Sequence, residues 1–498
     1  MQDESAKCIE ASRVIYDSSG NYIRFHGRPY LLSGIQIRPD RVIEQFDVST
    51  DEEFTEYVEP LFRYCAEMGY KTVIFPIKWE QVEFGKDEYS FVLLQRYYAY
   101  AKKYDLTVQL LWFGSDNCGW NIFAPKYILE DTTTYSRLSC YPDVLDYSNA
   151  NLIERECLVF QKLLDWLYEN DKDCRTVSIQ LLNEANHPAH KGAVLPPLHD
   201  ITDEIFDAVA WCVGQKSAIL HIIHELGKLV KTGPYRCVTR VNLVAPTYIW
   251  QNDAKYRGLA EEVLAEGNVD IVGYDSYSTG INMRTINILK SIKTNVAHWA
   301  EFGAGASNYV PMVLLTLSNR AGILGYHLKS VYKSPGAAIF NSMDNEWTWS
   351  TGEQYENSDL YRVDAYEVKA LNIVLSKASE QIALNDVTKT HVFNTTRATT
   401  SNETAEIDGV EITFTNNEAN GFGGCGYATM ISNSEMLVFA TRGNSSFKFA
   451  GKTVATAEAG SYVNGIWMVD EQIAVLDNAF HISSDMAKAG TLIRVTFN

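Results

Sequence analysis

Eight short apolar runs separated by amphipathic stretches constrain this chain more than any other feature. The runs are Leu31–Ile35, Thr72–Phe75, Thr107–Trp112, Val177–Leu182, Val241–Ala245, Asp270–Tyr274, Asn295–Ala300 and Ala337–Asn341, with helical patterning over 52–68, 91–104, 151–169 and 202–231. Near-continuous apolar strands alternating with helices indicate a parallel sheet buried on both faces. Eight such units favour closure into a (β/α)8 barrel over an open sheet. The expected fold class is therefore α/β, a TIM barrel.

The pattern changes at both ends. Residues 1–29 read as an N-terminal strand extension, with a hairpin turning at Ser18-Ser19-Gly20-Asn21. The barrel is expected over 30–388. Residues 389–498 alternate with the strand period, as in Val410–Phe414, Glu435–Phe439 and Thr491–Phe497, and read as a small all-β, sandwich-like accessory domain. The Thr-, Asn-, Ser- and Glu-rich stretch 394–408 is expected to be a linker or exposed loop.

Charge narrows the partners. With 43 Lys and Arg against 62 Asp and Glu, the net charge of −19 repels phosphate backbones and anionic lipid. No nucleic-acid partner is expected, and no apolar run is long enough to predict membrane insertion. The polar start Met1-Gln2-Asp3-Glu4-Ser5 has no signal-peptide pattern. The nine cysteines are scattered without a CxxC, so neither a disulfide framework nor a zinc site is expected.

Barrel proteins place their reacting groups at the C-terminal strand ends. The fourth run ends Leu182-Asn183-Glu184-Ala185. A partly desolvated carboxyl there can donate a proton to a departing glycosidic oxygen, while the Asn183 amide bonds a sugar hydroxyl. The competing reading is a structural acid in a helix cap or ion pair. The seventh run ends Trp299-Ala300-Glu301-Phe302-Gly303, which makes Glu301 the candidate second carboxylate and nucleophile across the mouth. Glu346 is its reserve. After the sixth run, Tyr274 or Tyr277 is placed to hold that carboxylate, with a core role as the alternative. Trp347 and Trp349 after the eighth run are candidate sugar platforms. Arg38, Trp112 and Asn117 at earlier strand ends are candidate hydroxyl-binding groups.

These residues resemble the clan of retaining (β/α)8 glycosidases that contains the β-galactosidase families 35 and 42 and the family 5 glycanases. Asn183-Glu184, Glu301-Phe302-Gly303 and Tyr274 or Tyr277 carry the likeness. So does the segment from Gly69 through Lys78-Trp79-Glu80 to Glu83, with Gly85 and Tyr89-Ser90-Phe91 after it. The resemblance implies Glu184 as acid/base and Glu301 as nucleophile of a double displacement on an oligo- or polysaccharide, β-galactosides leading, with no cofactor and no catalytic metal. It also implies a periplasmic or extracellular location, although the thiols are equally compatible with the cytoplasm. Leu182 stands where family 35 has an acidic residue, and 186–191 match no family pattern. The alternatives are an inactive carbohydrate-binding barrel, an endo-acting mannanase- or glucanase-like enzyme, and a metal-dependent hydrolase using the pairs His187/His190 or His221/His224.

Overall fold

The computed structural model describes residues 8–115, 123–138, 141–185, 215–244, 253–276, 282–303, 308–326, 338–341, 346–349, 364–418 and 423–498. Eight parallel strands close into a barrel: β1 (Ser33–Gln36), β2 (Thr72–Lys78), β3 (Thr107–Phe113), β4 (Thr176–Gln180), β5 (Val238–Val244), β6 (Ile271–Asp275), β7 (His298–Gly303) and β8 (Gly322–Tyr326). Each pairs with its successor in the chain, and β8 pairs with β1 from Ile323↔Ser33 to Tyr326↔Gln36.

The eighth strand corrects the sequence reading. Gly322-Ile-Leu-Gly-Tyr closes the barrel, whereas Ala338–Asn341 pairs antiparallel with Glu346–Trp349 outside it. The short β8 carries two glycines and so makes a weak apolar signal. One of them is required by packing, because a Cβ on Gly322 would stand 2.4 Å from Leu32 Cδ2.

Alternate residues of each strand face the barrel axis and the helix layer. The helix-facing set is apolar and includes Val73, Phe75, Leu110, Trp112, Ile179, Val241, Leu243, Val272, Tyr274 and Trp299, all buried in one continuous core. The axial set is layered. At the base, Val238, Ile271 and Val296 pack with Val14, Ile23, Phe25 and Leu32, so the N-terminal sheet Ser12–Ile15, Tyr22–Phe25, Arg28–Tyr30 plugs the bottom. Burying that apolar layer contributes about 25 cal/mol per Å² of surface removed from water. Above it the axial face divides: Ile74, Leu111, Phe113 and Leu324 form a small apolar cluster, whereas Gln109, Ser178, Gln180, Arg240, Asn242 and His298 are polar and all buried. A polar interior is costly unless bonded, which directs attention to what those groups bind.

The C-terminal region forms a six-stranded and a four-stranded antiparallel sheet around a separate apolar core that includes Phe393, Phe414, Phe447 and Phe480. Residues 400–407, expected as loop, form an eight-residue edge strand paired with Val410–Asn417. Its alternating polar residues suit a strand with one face in water. A buried ion cluster joins this region to the barrel. Glu367, on the helix Asp364–Lys377, accepts two hydrogen bonds of 2.8 Å from Arg397 and one of 3.0 Å from Arg442 Nε. No helix among the described residues is long and apolar enough to cross a membrane.

Candidate active site

At the C-terminal mouth the last axial residues of β6 and β7 and the first residues after β4 converge. One side-chain oxygen from each of Glu184, Asp275 and Glu301 lies within 4.8 Å of the other two. Two local irregularities produce this meeting. Glu184 takes the left-handed conformation, φ +47°, which is uncommon for a residue with a side chain. On β7 the register slips. Tyr274 pairs with Trp299, but Asp275 pairs with Glu301, so Ala300 is bulged out. In regular pairing Ala300 would stand beside Asp275; the bulge turns a carboxylate there instead. Bulges re-aim side chains in this way at barrel rims.

Asn242 on β5 organises the centre. Its Oδ1 accepts from the Glu184 backbone N–H at 2.9 Å and from Gln180 Nε2 at 2.7 Å. Its Nδ2 donates to Asn183 Oδ1 at 3.0 Å and to Asp275 Oδ2. Asn183 Oδ1 also accepts from Gln180 Nε2 at 3.0 Å, so the carbonyl end of that amide is held inward and its NH2 points the other way. One buried amide therefore sets the left-handed glutamate, the neighbouring asparagine and the third carboxyl.

The electrostatics follow from burial. Asp275 is 3% exposed and Glu301 8%. Burial pushes the Asp275 carboxyl far above the usual carboxylate range, with Glu301 and then Glu184 adding like-charge repulsion. Beneath them sits Arg240, whose pKa desolvation lowers to about 10 despite the opposing pull of Asp275 and Glu301. His298 is fully buried with neither ring nitrogen hydrogen-bonded, and desolvation, reinforced by Arg240, drives its pKa well below the ordinary value. The centre thus stacks three carboxyls over one guanidinium and a neutral imidazole.

The other sequence candidates fall differently. Tyr274 faces the helix layer, stacked on Trp299 with ring centroids 5.6 Å apart, while its neighbour Asp275 takes the mouth-facing place. Trp112 is likewise turned outward and fully buried. Its Nε1 donates to Glu156 Oε1 at 3.0 Å and its ring packs on Phe160, so it offers no platform to a ligand. Arg38 is bound to Asp40 by bonds of 2.8 and 2.6 Å. Trp347, Trp349 and Glu346 belong to the two-stranded pair outside the barrel. Tyr277, Asn117, His187 and His190 lie outside the described residues. His224 faces Glu266 at 3.9 Å on the helix Lys216–Thr232, away from the mouth.

Sequence reading missed Asp275 and Asn242. Their signal is polar residues at alternate places in otherwise apolar strands: Ser178/Gln180 and Arg240/Asn242, with Asp275 two places after Gly273 in the same parity. That parity marks the axial face. The three carboxyls are also the only described group of His, Cys, Asp or Glu close enough to share a metal ion. Their all-oxygen character suits a hard cation, although Arg240 already supplies a positive charge there.

Fold and centre define a (β/α)8-barrel protein with an acidic constellation at its C-terminal mouth. No family model matches the chain, and no curated protein matches it in sequence. Among solved structures it is similar to a family 5 mannosidase from Rhizomucor miehei, with 12% identity and a TM-score of 0.45 over 74% of this chain and 99% of that one. It is also similar to endo-glycoceramidase II from Rhodococcus sp., with 13% identity and a TM-score of 0.43 over 97% and 99%. A third is an exo-β-1,4-mannosidase from an Opitutaceae bacterium, with 15% identity and a TM-score of 0.40. That match covers 63% of this chain and 54% of the other, so the chain spans about half the mannosidase's length.

Proposed function

We propose that this protein is a retaining glycoside hydrolase acting on β-glycosidic bonds, with Glu184 as acid/base and Glu301 as nucleophile. The observation that carries the reading is that Glu184 and Glu301 face each other at the barrel mouth, one side-chain oxygen of each within 4.8 Å of the other, an approach that suits the shorter of two carboxyl spacings. Carboxyls about 5–5.5 Å apart serve double displacement, whereas single displacement needs about 6.5–9.5 Å to admit a water. In this mechanism Glu301 attacks the anomeric carbon as Glu184 gives its proton to the leaving oxygen. The alcohol departs and a glycosyl ester on Glu301 remains. Glu184 then takes a proton from water, whose oxygen displaces Glu301 and returns it as the carboxylate.

Asn183, beside the acid, is the first sugar-hydroxyl ligand in this reading. The resemblance to β-galactosidase families makes β-galactosides the first substrates to try, and an oligo- or polysaccharide the natural one. The test is chromophore release from aryl β-galactoside, β-glucoside, β-mannoside and β-xyloside by the wild type, Glu184→Gln and Glu301→Gln. Loss of at least 10³-fold in Glu301→Gln on the substrate the wild type cleaves is expected, on the order of an electrostatic or covalent catalytic group. Wild-type rates in Glu301→Gln would sink the assignment. A wild type silent on every aryl glycoside but active on polysaccharide would make the enzyme endo-acting.

A further inference from the structure

The third carboxyl has no part in the two-carboxylate reaction, yet it is the most deeply buried of the three. Asp275 is reached from several sides. Glu184 faces it from the end of β4, Glu301 from β7, and Arg240 and Asn242 from β5, while Tyr256 lies behind it on the helix Asp253–Leu264. Of its two oxygens, Oδ2 accepts from Asn242 and Oδ1 has no hydrogen-bond partner although it is fully buried. A buried carboxylate oxygen left without a donor is expensive, whereas a buried carboxylic acid turns the same oxygen into a donor. Charge balance points the same way. Arg240 is the one cation that faces Asp275 among the described residues, and it is shared with Glu301. Among the described residues one guanidinium faces three carboxyls, one oxygen of each within 4.8 Å of the others, so holding Asp275 ionised as well would be costly.

We propose that Asp275 is a positioning residue for the nucleophile: held as the neutral acid, it donates a hydrogen bond from Oδ1 toward the Glu301 carboxylate and keeps that carboxylate ionised and aimed. The register pairing Asp275↔Glu301, created by the Ala300 bulge, sets the two side by side on neighbouring strands. One bridging water or a small side-chain rotation completes the bond. The burial and like-charge repulsion that favour the neutral form of Asp275 support this assignment. The inference rests on the reading of Glu301 as nucleophile.

The test compares the pH dependence of kcat/KM for the wild type, Asp275→Asn and Asp275→Ala on the aryl glycoside that the wild type cleaves. Asparagine keeps a donor at the same place; alanine removes it. The acidic limb is expected to stay in place in Asp275→Asn and to move up by roughly one pH unit in Asp275→Ala, a tenfold change in the ionisation equilibrium. A limb moved to lower pH in both variants would mean that Asp275 is ionised in the wild type. A limb unmoved in both would make its role structural only. Either result overturns the proposal. Difference infrared spectroscopy gives a second readout that needs no activity and no alanine variant. A protonated-carboxyl C=O band belonging to Asp275 is expected at pH 7 in the wild-type-minus-Asp275→Asn difference spectrum, in which the proton-donating Glu184, common to both proteins, cancels; absence of the band from that difference overturns the proposal. Full activity in Glu301→Gln would refute the nucleophile assignment, while the infrared band would still decide the state of Asp275.

Discussion

Asn242 Oδ1 accepts the backbone N–H of Glu184 at 2.9 Å, and that bond holds a glutamate in a left-handed conformation at φ +47°. Asn242 lies 58 residues further along the chain, yet it sets the backbone of the proposed acid/base, the amide of Asn183 and the carboxyl of Asp275. Asn242→Ala would leave the Glu184 N–H without its acceptor and Asp275 Oδ2 without its donor, while the Gln180 amide keeps Asn183 Oδ1; each buried orphan costs about 1–3 kcal/mol. The expected result is a loss of kcat on the order of 10²-fold, because misplacement of a reacting group by about 1 Å costs that much. Steady-state kinetics on an aryl glycoside, beside a thermal melt, measure it; an unchanged kcat would mean that the hub does not position the acid.

Trp112→Phe is expected to reduce stability without weakening substrate binding. The indole N–H is spent on buried Glu156, whose other oxygen accepts from Ser115 Oγ at 2.6 Å. Removing one donor from a buried carboxylate costs roughly 1–3 kcal/mol in a urea unfolding curve. A raised KM at unchanged stability would restore Trp112 to the binding surface.

The pH dependence of stability carries the signature of His298. Its burial beside Arg240 depresses its pKa. Below about pH 6.5 the unfolded chain therefore takes a proton that the native state refuses, and stability falls as pH drops from there toward the depressed native value. The slope from this residue is up to about 1.4 kcal/mol per pH unit. Urea unfolding at pH 7 and pH 5 is expected to show a smaller acid-side loss in His298→Gln than in the wild type. Equal losses in both proteins would mean that His298 is not the source.

At the junction of barrel and β-region, Glu367→Gln leaves the buried Arg397 and Arg442 facing an uncharged amide. Breaking a buried ion pair from one side costs about 3–5 kcal/mol. Calorimetry is expected to show a lower unfolding temperature, or a transition split in two as the β-region parts from the barrel. An unshifted single transition would show that the cluster does not hold the two together.

Most of the barrel was legible because its strands are apolar runs of the right length, and seven of the eight runs named from sequence are barrel strands. The eighth was hidden by its glycines, and a more apolar neighbour, Ala338–Asn341, drew the assignment to itself. Glu184 and Glu301 could be read as residues leaving strands. Which residues face the axis could not be read from type alone. Trp112 and Tyr274 look like ligand-handling aromatics but have the parity of the helix-facing set, while Asp275 has the axial parity. The Ala300 bulge and the bond from Asn242 to Glu184 arise from contacts between distant strands, and no local pattern announces them.

Proton NMR of the first sugar released from a β-glycoside substrate tests the central claim most directly. Double displacement on carboxyls this close predicts that the β-anomer appears first and mutarotates later. Initial release of the α-anomer would require a water between the two carboxyls and would contradict the account.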